Sequence, residues 1–118
     1  MSGLVIGHVT FDCDDAASLA RFWSGLLDRP VDAGASEAFA SLGLEGSERP
    51  ALLFIKVPDR NTGKNTPHLD LHAPDWPAHV ERAVSNGATK VAEHAEFGTQ
   101  WVTLADPEGN LFDIGAGM

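Results

Sequence analysis

Two histidines head two copies of one short pattern. His8-Val9-Thr10-Phe11-Asp12-Cys13-Asp14-Asp15 is restated as His68-Leu69-Asp70-Leu71-His72-Ala73-Pro74-Asp75. A repeat of this length in a small chain means two similar supersecondary units. Matched positions in such a repeat are how an internally symmetric fold brings two imidazoles to a shared centre. Carboxylates accompany them: Asp12 and Asp70 follow the histidines at even spacing, and Asp113 lies in the last strand pattern. Two imidazoles at matched positions are candidate ligands for one centre, and imidazole with carboxylate is a set of groups for moving protons. Asp70, His72 and Thr10 are all candidates for proton transfer, and nothing in the sequence selects one. No Ser-His-Asp arrangement, phosphate loop or activated cysteine context is present.

The elements that must hold these side chains follow from periodicity. Residues 5–13 alternate and are rich in strand formers. Asp14 or Asp15 then caps a helix whose Ala16, Leu19, Ala20, Trp23 and Leu27 form one apolar stripe. Short strands are predicted at 30–34, 37–44 and 51–57. The turn-rich segment Pro58-Asp59-Arg60-Asn61-Thr62-Gly63-Lys64-Asn65 is the seam. The second half repeats the order, with a strand at 67–73 and a helix capped by Asp75. That helix carries Trp76, Val80, Ala83 and Val84, with Gly87 suited to the left-handed position past its end. Strands follow near 88–95, 99–105 and 110–115, with a tight Asp106-Pro107-Glu108-Gly109-Asn110 turn before the last. The order is βαβββ twice. The expectation is one domain over 1–118, with module one at 1–58, a linker at 59–66 and module two at 67–118.

Composition bounds the partners. With 118 residues the chain is the size of one domain or of two half-size modules sharing a core. A net charge of −9 argues against nucleic acid, whose phosphates require a Lys/Arg surface. No apolar run approaches the ~20 residues that cross a membrane. The single cysteine, Cys13, cannot form an internal disulfide and is read as packing. With no signal peptide visible, a cytoplasmic location is the default expectation.

Strand parity sorts the side chains. Val9, Phe11, Cys13, Leu69, Leu71 and Ala73 are assigned to the helix side, with Ala38, Ala40, Leu42, Leu53, Ile55, Val57, Val102 and Leu104. The opposite face then collects His8, Thr10, Asp12, Phe39, Ser41, Leu52, Phe54, Lys56, His68, Asp70, His72, Trp101, Thr103, Leu111 and Asp113. Apolar walls with a few converging polar groups have the character of a small-molecule cavity. Phe39 and Trp101 are candidate walls that stack on a planar substrate. Lys64 and Asn65, just before His68, are candidates for an anionic substrate group. Trp23 and Trp76 are read as core, His79 as helix surface, and His94 has no partner pattern.

Taken together, the chain resembles the vicinal oxygen chelate superfamily, which includes glyoxalases, bleomycin-resistance proteins and extradiol dioxygenases. The resemblance rests on five segments. They are His8-Val9-Thr10-Phe11-Asp12, Phe22-Trp23-Ser24-Gly25-Leu26-Leu27, Gly63-Lys64-Asn65-Thr66-Pro67-His68-Leu69-Asp70-Leu71, Asn86-Gly87-Ala88, and Leu104-Ala105-Asp106-Pro107-Glu108-Gly109-Asn110. It implies an α+β fold of two βαβββ modules forming an eight-stranded, incompletely closed mixed barrel. It also implies a homodimer. In metal-using members the ligands come from the first and last strands of each module, which points here to His8, His68, Asp113 and, at the fourth corner, Phe54. Phe54 cannot ligate, so a two-histidine, one-carboxylate site for Fe, Mn, Ni or Zn is expected. The absent fourth ligand argues against glyoxalase I activity. The activity implied is that of a metal-dependent lyase, isomerase or dioxygenase on a small oxygenated metabolite. The alternative is a metal-free protein that binds or sequesters an antibiotic or metabolite. Expected substrate contacts are Phe39, Phe54, Lys64, Asn65, Asp70, His72 and Trp101.

Overall fold

The computed structural model describes residues 6, 8–46, 50–59, 68–96 and 98–116. The chain divides into two compact units, Met1–Arg60 and Asn61–Met118. Lys64 and Asn65 lie outside the described residues.

In the first unit, β1 (His8–Cys13) leads into α1 (Ala16–Leu27), followed by β2 (Phe39–Leu42) and β3 (Ala51–Lys56). The helix starts where expected, because Asp15 is extended and its carboxylate accepts the Ser18 amide. It ends at Asp28, whose φ of 55° is left-handed. Its buried stripe is Ala16, Leu19, Ala20, Phe22, Trp23 and Leu26, so Leu26 takes the buried place expected for Leu27. The sheet order is β1-β3-β2, with β1 parallel and β2 antiparallel to β3. Phe11 is the hinge of this core: its ring lies 5.3 Å from Trp23 of the helix and 5.3 Å from Phe54 of β3. Cys13 is a fully buried thiol in the same layer.

The register corrects the parity of β3. Val9 pairs with Leu52, Phe11 with Phe54, and Ala40 also with Phe54. Leu52 and Phe54 therefore face the helix and are buried, while Leu53 and Ile55 lie on the opposite face. Phe54 is core, not a substrate wall. Lys56 pairs with Cys13 at the strand end and bonds Glu37, which raises its pKa. The reason is legible: residues 51–55 are apolar at every position, so no polar side chain marks which half of the alternation is outward.

The segment 30–34 forms no strand. A backbone bond from Asp32 N–H to the Ser41 carbonyl (2.9 Å) holds it beside β2. The Asp32 carboxylate does the rest, accepting from the Ser41 hydroxyl (2.7 Å) and from the Leu44 and Gly43 amides (3.0 and 3.2 Å). Burial opposes ionisation of Asp32, but these hydrogen bonds, with Arg29, outweigh it and hold its carboxyl below the ordinary value.

The second unit runs β4 (Leu69–His72), α2 (Trp76–Ser85), β5 (Thr89–Glu96), β6 (Thr99–Ala105) and β7 (Leu111–Gly115). Its sheet order is β4-β7-β6-β5, with β4 and β7 parallel and the rest antiparallel. Asp75 does not cap α2 through its side chain. Pro77 near the helix start removes a candidate amide, and the Asp75 carboxylate meets His79 instead (3.2 Å). Val80 and Ala83 are buried, whereas Val84 is exposed. Val102, Leu104, Phe112 and Ile114 form the packed layer. The turn before β7 is organised by the buried Asp106, which accepts the Glu108 and Asn110 amides (both 2.9 Å) and the Asn110 side chain. Gly109 there has a φ of 87°, a conformation that costs glycine nothing. This turn fixes the β6–β7 register on which the candidate site depends.

The described residues thus form an α+β fold with two mixed sheets and seven strands. Among the described residues no helix is long and apolar enough to cross a membrane.

Candidate metal centre

Two cross-strand rows on one face of the second sheet carry the chemistry. In the first row Asp70 pairs with Asp113, Asp113 with Thr103, and Thr103 with Ala92. In the next, His72 pairs with Gly115, Gly115 with Trp101, and Trp101 with His94. These residues alternate with the packed Phe112, Ile114, Val102 and Leu104, which is why the polar set shares the other face.

His68, at the head of β4, completes a cluster. Its Nε2 lies 3.4 Å from Asp70 Oδ1 and 3.5 Å from Asp113 Oδ2. One donor atom from each of His68, Asp70 and Asp113 lies within 4.8 Å of the others. The Asp113 side chain is 17% exposed, against 45% for His68 and 55% for Asp70. Two carboxylates directly opposed on neighbouring strands repel one another. A cation between them removes that cost, so the donor set fits a divalent ion, with imidazole and carboxylate suiting Fe, Mn, Ni or Zn.

Behind the cluster runs a chain of contacts. The Thr103 hydroxyl donates to Asp113 Oδ1 at 2.6 Å. His94 Nε2 lies 3.2 Å from the same hydroxyl, and the His94 ring stacks on Trp101 at 4.9 Å and 18°. Trp101 crowds Gly115: a Cβ there would stand 2.6 Å from Trp101 Cβ and 2.8 Å from the Gln100 carbonyl oxygen.

His68 and Asp113 are thus brought together. Asp70, expected as a substrate contact, joins them as a third donor. His72 is exposed, two register positions along from Asp70 on the same face. His8 belongs to the first unit, where it is exposed and pairs with Ala51. Phe39 is likewise a first-unit residue, exposed and paired with Ile55. His94 escaped the sequence reading because of a bulge. The β5–β6 register shifts between Lys90 and Ala92, and only that shift sets His94 opposite Trp101.

This is a two-unit α+β fold with an imidazole–dicarboxylate cluster on one sheet. A family model described as a glyoxalase-like domain matches residues 8–115, and the chain belongs to that family. Its structural neighbours lie in the glyoxalase/bleomycin resistance/dioxygenase group. An enzyme of that group from Burkholderia phytofirmans is 17% identical with a TM-score of 0.79, covering 98% of this chain and 100% of its own. A variant of the fosfomycin resistance protein FosX from Listeria monocytogenes, complexed with Mn(II) and 1S,2S-dihydroxypropylphosphonic acid, is 14% identical with a TM-score of 0.76, covering 100% and 93%. The bleomycin-binding protein of Streptomyces verticillus, complexed with copper(II)-bleomycin, is 17% identical with a TM-score of 0.68, covering 100% of both chains. No curated protein matches the chain significantly.

Proposed function

We propose that the protein is a divalent-metal-dependent glyoxalase-like enzyme, a lyase, isomerase or dioxygenase acting on a small oxygenated metabolite. The observation that supports it is the cluster of His68, Asp70 and Asp113 within 4.8 Å, built on directly opposed carboxylates. These three residues would hold the ion. When bound, the ion supplies Lewis-acid polarisation of vicinal oxygens and stabilises enolate-like charge. The chain's own residues orient the substrate. Trp101, braced by His94, offers a planar surface, and His72 stands two register positions from the Asp70–Asp113 pair on the same face. The relative that carries Mn(II) with a dihydroxy phosphonate lends the reading support at the level of fold. His8 as a further ligand is a proposal carried by the sequence repeat. Phe39, Lys64 and Asn65 as substrate contacts, a homodimer and a cytoplasmic location stand as proposals on the same footing.

Calorimetric titration with Fe(II) under anaerobic conditions, and with Mn(II), Ni(II) and Zn(II), tests the site. Wild type binds at least one of these ions, and His68→Ala loses binding while keeping its melting temperature, because the exposed imidazole contributes little packing. Equal binding by both proteins removes His68 as a ligand. No binding by wild type removes the metal reading and favours a metal-free binding protein.

A further inference from the structure

We propose that Thr103, backed by His94, is a positioning residue that selects which oxygen of Asp113 is presented to the metal, a role that rests on the metal reading above. The argument begins with one proton. A hydroxyl has a single hydrogen to donate, and an ionised carboxylate can only accept. The contact of 2.6 Å therefore commits the Thr103 hydrogen to Asp113 Oδ1. Its length is that of a charge-assisted hydrogen bond. Thr103 Oγ1 can then meet His94 only as an acceptor, so His94 Nε2 carries a proton and donates across 3.2 Å. The tautomer of His94 is fixed by this chain of donors.

The rest of the network keeps that donor in place. His94 lies flat on Trp101, its partner in the β5–β6 register. Trp101 is set against the bare backbone of Gly115, where a side chain could not fit. The order is indole, imidazole, hydroxyl, carboxylate. At its end, Oδ1 is engaged and Oδ2 faces His68 at 3.5 Å. The terminal torsion of an aspartate is broad, so an unbraced carboxylate would sample many orientations. Thr103 removes that freedom and favours ligation through Oδ2 alone. Asp113 is also the most shielded member of the cluster, where a fixed orientation is best protected from competing water. Such outer partners orient ligands and are part of a metal site.

The test is Mn(II) titration calorimetry on the full chain. Thr103→Val keeps the shape and removes the hydroxyl, Thr103→Ser restores it, and His94→Phe keeps a ring on Trp101 but removes the donor. Thr103→Val should raise the Kd for Mn(II) about 10–100-fold, His94→Phe should weaken it by about 10-fold, and Thr103→Ser should stay within about threefold of wild type. Rescue by serine separates orientation from bulk packing. Wild-type affinity in both Thr103→Val and His94→Phe overturns the proposal and leaves the metal site standing. No Mn(II) binding by wild type is a different result, which removes the metal reading and this role with it. Should Thr103→Val fail to fold, wild-type affinity in His94→Phe is sufficient to overturn the proposal.

Discussion

Phe54 and Ile55 are adjacent, both apolar, and opposite in face, so truncating each to alanine tests the register of β3 directly. Phe54 is fully buried, stacked on Phe11 with its centroid 5.3 Å away and ring planes at 28°. Phe11 in turn contacts the fully buried Trp23, so a cavity at Phe54 removes a partner from the aromatic chain joining sheet to helix. Large-to-small replacement at such a site costs about 3–5 kcal/mol, of which the ring pair accounts for ~0.5–1.5 kcal/mol. Ile55 is 36% exposed and lies on the opposite face of the strand, in register with Asp12 and Phe39. Its replacement should cost on the order of 1 kcal/mol. A chain of this size loses roughly 3–5 °C in melting temperature per kcal/mol. Phe54→Ala should therefore melt ~10–20 °C below wild type and Ile55→Ala only ~3–5 °C below, read by circular dichroism and checked by guanidinium midpoints. A larger loss from Ile55→Ala than from Phe54→Ala would show that β3 presents the other face to the helix, and the core described above would be wrong.

Gly115→Ala should cost about 1–3 kcal/mol, because the added methyl meets the Trp101 Cβ and the Gln100 carbonyl, which are backbone-anchored and cannot swing away; unchanged melting and unchanged tryptophan emission would sink that expectation. Asp28→Gly should stabilise by about 0.5 kcal/mol, since Asp28 holds a left-handed φ of 55° that glycine adopts without steric cost; a lower guanidinium midpoint would contradict it. Asp32 should make part of the stability acid-sensitive. Its carboxyl is held below the ordinary value, so its contribution is complete above the unfolded value of ~3.9 and is lost as pH falls through the lower folded value. Guanidinium midpoints from pH 6 to 2 should fall less steeply for Asp32→Asn than for wild type, and parallel curves would refute the assignment.

The sequence carried the α+β class because its punctuation was physical. Asp15 caps, Gly87 and Gly109 turn, Asp70 and His72 mark the alternation of β4, and Thr103 and Asp113 stand between buried apolar neighbours in β6 and β7. The same marking identified the shared face of His68, Asp70, Thr103 and Asp113. Three features escaped. The apolar run at 51–55 contains no polar residue to fix parity, so alternation alone places Phe54 outward. The bulge at Lys90/Ala92 reverses the alternation of β5 midway, and no local residue announces it, so His94 had no partner. Residues 30–34 read as a strand from composition, yet their pairing is made largely by one side chain, Asp32, in place of a ladder.

The corrected register also changes what the repeat means. Aligning the parallel pairs, Val9 opposite Leu52 matches Leu69 opposite Phe112, and Phe11 opposite Phe54 matches Leu71 opposite Ile114. The position equivalent to Asp113 is then Leu53, and the position equivalent to Asp70 is Thr10. Ser41, opposite Leu53, stands where Thr103 stands opposite Asp113, and Phe39 stands where Trp101 stands. The two modules thus share their packing pattern, an aromatic and a hydroxyl at matched positions, but diverge in charge. In the first module the hydroxyl of Ser41 donates to Asp32, which pins a loop. In the second the hydroxyl of Thr103 donates to Asp113, beside a histidine and a second carboxylate. The first-module residue that matches Asp113 is thus a hydrocarbon, Leu53, just as Phe54 is on the uncorrected parity. What the repeat duplicated was a scaffold. Among the described residues the imidazole–dicarboxylate cluster stands on the second copy, and it is there that the cation chemistry proposed for this protein has its carboxylates.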